Sequence, residues 1–227
     1  EIYMGDWSSD VCSSDLDSRG RAIQLIDEED RTFNQTFDNR DRIKKRTYPE
    51  GNSVEFEYDD RTQQVTKITQ RGKLTDYFLP QPANIVVQAT YHPDCGKISS
   101  VTDAKGKVTD WTYNTTTCTL TNVQQPAVPN PENGNVLTRP TTSYLYNVLG
   151  QMTQVTDPTS RVITFEYDVA TKYRWREHAN PAGLDLTTIY GHNAYGDINS
   201  VDGPRTDLTD VTIWRSEERR VGKECRS

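Results

Sequence analysis

His92, Asp94 and Cys95 stand within four residues of one another, a donor set with the right chemistry for a metal ion. Structural zinc needs four such ligands in a recognisable spacing, and no second cluster accompanies this one. The prediction is therefore a loop ahead of a hairpin, with no metal. His178, beside Asn180-Pro181, and His192, within Gly191–Asn193, read as isolated residues in loop-like surroundings. A nucleophile needs a base beside it and an acid to orient that base, and nothing in the sequence brings Cys95 or a serine to either histidine. The many Asp and Glu residues fall on turns and strand faces at a regular period, which is turn chemistry rather than a glycosidase carboxylate pair. Asn34-Gln35-Thr36 and Asn114-Thr115-Thr116 are glycosylation sequons. No catalytic, cofactor-binding or metal-binding residue is assigned, no cofactor is expected, and the chain is expected not to be an enzyme.

The elements that carry these residues follow from a block of seventeen residues that occurs three times without a gap. Residues 43–59 read IKKRTYPEGNSVEFEYD, residues 98–114 ISSVTDAKGKVTDWTYN and residues 152–168 MTQVTDPTSRVITFEYD. The blocks close on Tyr58-Asp59, Tyr113-Asn114 and Tyr167-Asp168, and matching pairs Phe37-Asp38, Tyr91-His92 and Tyr146-Asn147 stand 21 or 22 residues earlier. Self-similarity at a fixed period is the signature of a repeat array. Within a block, period-two alternation of Val, Ile, Thr, Phe and Tyr flanks a turn, which predicts a β-hairpin. At that turn Gly51 and Gly106 tolerate positive φ. In the third copy Pro158 presets φ, and Asp157 can bond its own backbone two residues on. Val54, Phe56 and Tyr58, then Trp111 and Tyr113, then Phe165 and Tyr167 would form the apolar face. Degenerate copies at 22–38, Val65–Tyr77 and Ile198–Val211 bring the expectation to roughly six or seven hairpins with little helix. Proline-rich stretches at 79–90 and 124–143 read as loops inserted between hairpins.

The formal net charge is −7, and the basic cluster Arg40–Arg46 is interrupted by Asp41, so a nucleic-acid footprint is lacking. No apolar run approaches the ~20 residues of a membrane span. Cys95 and Cys118 follow Tyr91 and Tyr113 by four and five residues. In regular hairpins they would lie two strands apart, about 9–10 Å, against the about 7 Å that a disulfide allows. Free thiols are the expectation. Residues 6–16, DWSSDVCSSDL, and 215–227, RSEERRVGKECRS, resemble translated sequencing adapters, so 1–16 and 215–227 are expected to be non-native tails and 17–214 the repeat array, cut from a longer chain.

The strings VTDPTSRVITFEYD (155–168), VTDAKGKVTDWTYN (101–114) and YNVLGQMTQVTDP (146–158) resemble the YD repeat of bacterial Rhs proteins, also seen in teneurins. His92 in place of Asp, Ser160 in place of Gly and Tyr48 in place of Asp depart from the pattern. The resemblance implies an all-β fold, an array of stacked antiparallel β-hairpins forming part of a spiral shell. It implies a structural segment, secreted or associated with the cell surface, that encloses and helps deliver a C-terminal toxin. The implied partners are flanking repeats of the same parent chain and an enclosed cargo. The family's autocleavage motif has no match here. An alternative on the same repeat is an adhesin or carbohydrate-binding module, in which exposed aromatic rings would stack on a surface glycan. Against it, rings in so aliphatic-poor a chain are needed to fill the gaps between hairpins.

Overall fold

The protein is described here by a computed structural model, which covers residues 11–73, 80–180, 183–205 and 210–214. The chain divides into two compact units, Glu1–Thr109 and Asp110–Ser227.

Unit 1 is a meander of β1 (Val11–Leu16), β2 (Ala22–Asp27), β3 (Thr32–Phe37), β4 (Ile43–Thr47), β5 (Ser53–Tyr58), β6 (Val65–Arg71), β7 (Ile85–Tyr91) and β8 (Ile98–Thr102), ending in the first residues of β9 (Val108–Tyr113). From β1 to β8 each strand pairs antiparallel with the next. Unit 2 continues with β10 (Leu120–Gln124), β11 (Val128–Asn130), β12 (Val136–Thr138), β13 (Thr141–Tyr146), β14 (Met152–Thr156), β15 (Val162–Tyr167), β16 (Arg174–Ala179), β17 (Leu186–His192), β18 (Ile198–Asp202) and β19 (Val211–Ile213). There β9 pairs with β10, β10 with β13, and then each strand with its successor to β19. A short 3₁₀ turn, Pro131–Asn133, is the only helical element among the described residues. The all-β hairpin array is thus present.

The alternation seen in the sequence gives each unit two unlike faces. In unit 1, Leu25 lies opposite Phe33, Arg46 opposite Val54, Phe56 opposite Ile68, and Ile68 opposite Val87. The other face carries cross-strand ion pairs. Glu55 accepts from Lys45 at 3.2 Å and Arg71 at 2.8 Å, and Lys67 reaches Glu57 at 2.8 Å. In unit 2, Tyr144 faces Val155, Val155 faces Ile163, and Ile163 faces Ala179. Phe33, at 8% exposure and edge-on to Tyr48, is the only buried hydrophobic side chain among the described residues.

Three expectations need correction. Residues 85–90, read as part of an inserted loop, belong to β7. Pro80 and Pro82 restrict only the chain before it, and the β-branched run Ile85-Val86-Val87 pairs with β6. The expected second arm of the Val65–Tyr77 copy falls partly outside the described residues. The insertion at 124–143 is itself built as a hairpin, β11 against β12, with its base closed by Arg139, whose guanidinium reaches Gln125 O at 3.0 Å and Asp110 Oδ2 at 2.6 Å. The cysteine expectation also fails, because Cys95 and Cys118 are disulfide-bonded. Finally, β1 lies inside the adapter-like stretch, where an extended segment of almost any sequence can pair with an open sheet edge.

Candidate functional site

The repeat-signature residues gather at one kind of turn. The turns after β1, β3, β5, β7, β9, β13, β15 and β17 are the ones closed by an aromatic–Asp or related pair, and each adjoining strand pair contains a register shift. The described strand pairs joined by the remaining turns and the insertion show none. In most cases the shift comes at the signature aromatic residue, Phe37, Tyr58, Tyr91, Tyr146 or Tyr167, and the extra residue lies on the following strand, at Lys44, Thr66, Ser99, Thr153 and Trp175. A bulge inserts one residue, bends its strand and increases local twist.

The acidic half of the pair builds the turn. Asp59 Oδ1 accepts from the backbone N–H of Arg61 at 2.9 Å and Thr62 at 2.6 Å, and Asp168 Oδ1 repeats this with Ala170 and Thr171 at 3.0 and 2.7 Å. Asn114 Oδ1 does the same for Thr116 and Thr117, each at 2.9 Å. These bonds favour the ionised form, and the Thr62 and Thr171 amides in particular hold the Asp59 and Asp168 carboxyls below the usual range. The plain turns use the same device. Asp157 Oδ1 accepts from Thr159 N and Arg161 N at 2.8 and 2.9 Å. The Thr159 hydroxyl, with Arg161 behind it, holds its carboxyl at about 2.

His92 departs from the pattern in residue type and keeps the function. Its Nδ1 accepts from Asp94 N–H and Cys95 N–H, both at 3.3 Å, which makes it a turn cap and puts the ring proton on Nε2. With Cys95 in a disulfide, the metal reading loses two of its three donors. Among the described residues no group of three or more His, Cys, Asp and Glu could hold a metal ion. In the left-handed position of the turns stand Gly51 (φ 90°) and Gly106 (φ 73°), and Ser160 takes the same conformation at φ 66° behind Pro158.

The aromatic half of the pair ties the end of a block back to its start, beside the preceding bulge. Tyr58 Oη donates to Ile43 O at 2.7 Å, Tyr91 Oη to Val65 O at 2.6 Å and Tyr167 Oη to Met152 O at 2.7 Å. Ile43, Val65 and Met152 pair with Phe37, Tyr58 and Tyr146 and stand beside the extra residues Lys44, Thr66 and Thr153. The hydroxyl thus supplies a donor where the bulge disturbs the ladder. Tyr113, the remaining signature tyrosine, sits half-buried at the end of β9. Arginines cover several ring faces: Arg42 over Tyr58 at 4.2 Å, Arg21 over Phe37 at 4.7 Å, and Arg174 over both Phe165 (5.3 Å) and Tyr190 (4.9 Å). A ring so covered is not free to stack on a sugar. In unit 1 neighbouring bulged turns are also joined side to side, by Arg40 to Asp60 O at 2.5 Å and Arg61 to Pro93 O at 3.0 Å.

Two features escaped the sequence reading. His178 lies on a strand, in contact with Glu166 and Asp185, rather than isolated in a loop. Its surroundings come from cross-strand register, which no local spacing reveals. The interlock of each tyrosine with the previous bulge was also unseen, although the 21–22-residue spacing of the pairs is its signal.

Residues 146–184 match the family described as RHS Repeat. No curated protein sequence matches the chain. Among solved structures, TcdB2-TccC3 without its hypervariable C-terminal region aligns with a TM-score of 0.52 and 13% identity, covering 84% of this chain and 11% of that one. TcdB2-TccC3-Cdc42 gives 0.52 and 12% over 82% of this chain and 11% of that one. The Tc holotoxin pore of Photorhabdus luminescens, carrying a TccC3 mutation, gives 0.51 and 14% over 84% and 11%. At such identity the likeness is one of fold, and the chain spans about a ninth of the length of those chains. Over β14 to β16 the chain thus carries a segment that matches the RHS Repeat family, and its fold is like that of the Tc toxin chains.

Proposed function

We propose that the chain is a wall segment of an Rhs-type shell that encloses a polypeptide cargo, a C-terminal toxin or effector carried by the parent protein, and helps deliver it. The observation that carries this reading is a hairpin repeat strip whose aromatic and aliphatic side chains are left half-exposed, with Phe33 the only buried hydrophobic side chain among the described residues. A hollow wall needs such a face. The bulges on alternate turns bend their strands, and the tyrosine hydroxyls brace the strand beside each preceding bulge. The segment's role is enclosure, and no residue performs catalysis. Its partners are flanking repeats of the same parent and the cargo. The apolar turn tips of unit 2, with Val148 fully exposed and Tyr195 at 89%, offer such repeats a surface. The array proper is 17–214, with 1–16 and 215–227 outside it.

A secreted or cell-surface setting agrees with disulfide-bonded Cys95 and Cys118, since disulfides persist in oxidising compartments. No helix among the described residues is long and apolar enough to cross a membrane. The test is long-read sequencing of the source locus across both ends. The expected frame runs past Trp214 into more repeats and then an unrelated C-terminal domain. A frame that ends after Ser227, with both tails encoded, would overturn the shell reading.

A further inference from the structure

His178 takes no part in the turn architecture and has 16% of its side chain exposed. It lies on β16, across from Thr164 on β15 and Thr187 on β17. Its Nδ1 is 2.8 Å from Asp185 Oδ1 and 3.1 Å from Thr187 Oγ1, and its Nε2 is 2.9 Å from Glu166 Oε1. An ionised carboxylate can only accept hydrogen bonds, and a neutral imidazole carries one N–H. Neutral His178 would therefore set a nitrogen lone pair against one carboxylate. The imidazolium satisfies both.

The neighbouring charges agree. From β16, Arg176 reaches the second oxygen of Glu166 at 3.6 Å. Asp185 stands at the entry to β17, with φ 43°. From β18, Asp202 lies opposite Ile189, one strand further off on the same face. Glu177 and Arg174 pair with each other at 3.6 Å, and cross-strand register puts Glu177 opposite Phe165, on the other face. His178 and Arg176 thus balance Glu166 and Asp185 as two charges against two. Loss of the proton leaves the cluster with an excess negative charge and one broken contact.

We propose that protonated His178 is a charge clip fastening Asp185, and with it the start of β17, to Glu166 on β15, so that this part of the strip tightens and loosens with pH. The proposal stands independently of the shell reading. Asp185 and then Glu166 raise the His178 pKa above its ordinary value, against desolvation. With a raised folded-state pKa, the clip's stabilisation is fully present below the unfolded value of about 6.5. It is lost as pH rises through the folded value. In strong acid the two carboxylates protonate and the clip fails from the other side.

The test is an NMR titration of the histidine rings of the full 227-residue chain from pH 5 to pH 9, beside the same titration in denaturing urea. Expected is a His178 midpoint above its urea value, displaced downward in both Asp185→Asn and Glu166→Gln. A midpoint at or below the urea value, or one that neither substitution moves, would overturn the clip. The wild-type titration alone decides the matter if a variant fails to fold.

Discussion

At the scale of single residues, the turns set stability through two devices with opposite demands. The left-handed position penalises any side chain with a Cβ by ~1–2 kcal/mol, while glycine there costs unfolded-state entropy. Gly106, at φ 73°, and Ser160, at φ 66°, occupy equivalent places in two copies of the block. Gly106→Ala should therefore destabilise by about 1 kcal/mol, and Ser160→Gly should stabilise by about 0.5 kcal/mol, read as shifts of the urea midpoint at constant slope. Losses in both would mean that the Ser160 side chain contributes something its backbone strain conceals. The second device is the capping carboxylate. Asp157 is held at about 2, below its ordinary 3.8, by the Thr159 hydroxyl and then by Arg161. A depressed folded-state pKa contributes stability that is present above the unfolded value and is lost as pH falls through the folded one. The gap in urea midpoint between wild type and Asp157→Ala should thus be widest above about pH 4 and close by about pH 2. Asp157→Asn keeps the Oδ1 acceptor, as Asn147 and Asn193 do in their own turns, and should lie between the two at neutral pH. This much was legible in the sequence: Asp157, Pro158 and the glycines announce their turn chemistry locally. His92 was not, because nothing in a residue's type says that its ring nitrogen will replace a carboxylate oxygen.

At the scale of elements, hairpin existence was legible and hairpin linkage was not. Alternation over Met152–Thr156 and Val162–Tyr167 specifies both arms, and those arms are β14 and β15. Where prolines crowd a segment, as before Ile85, local signals point to loop, and pairing with a distant strand decides otherwise. Equally non-local is the link from Tyr167 Oη to Met152 O, fifteen residues back. Tyr167→Phe keeps the ring and deletes that donor, leaving a half-buried carbonyl beside a bulge. The expected cost is about 1 kcal/mol, with faster amide hydrogen exchange concentrated in β13 and β14 around the bulge rather than spread over the unit. Tyr58→Phe should do the same around Phe37 and Ile43. Uniformly raised exchange would mean that the tyrosine acts through bulk packing and not as a tie to the preceding bulge.

At the scale of the whole molecule, the question is what replaces a hydrophobic core. Burial of apolar surface is the dominant favourable contribution in globular domains, yet among the described residues of this chain Phe33 is the only buried hydrophobic side chain. Stability must then come from the ladder and from nearest-neighbour contacts between repeats, as in other arrays in which each repeat touches only its neighbours. Such an array lowers its free energy further by covering its exposed apolar side chains and open strand edges. In unit 2 the tips of three bulged turns carry the exposed side chains Val148, Leu149, Val169 and Tyr195, while the corresponding tips of unit 1 carry Arg19, Arg40 and Arg61, each hydrogen-bonded to a neighbouring turn. The isolated chain should therefore self-associate through unit 2, with a weight-average sedimentation coefficient that rises with protein concentration. Val148→Asp combined with Tyr195→Asp should flatten that rise and leave the far-UV circular dichroism unchanged, because both side chains lie outside the strands and make no packing contact that the fold requires. A monomer at every concentration with a sharp two-state melt would carry the opposite meaning: the interlocked ladder would be sufficient by itself, and the apolar tips would have no covering role in the parent protein.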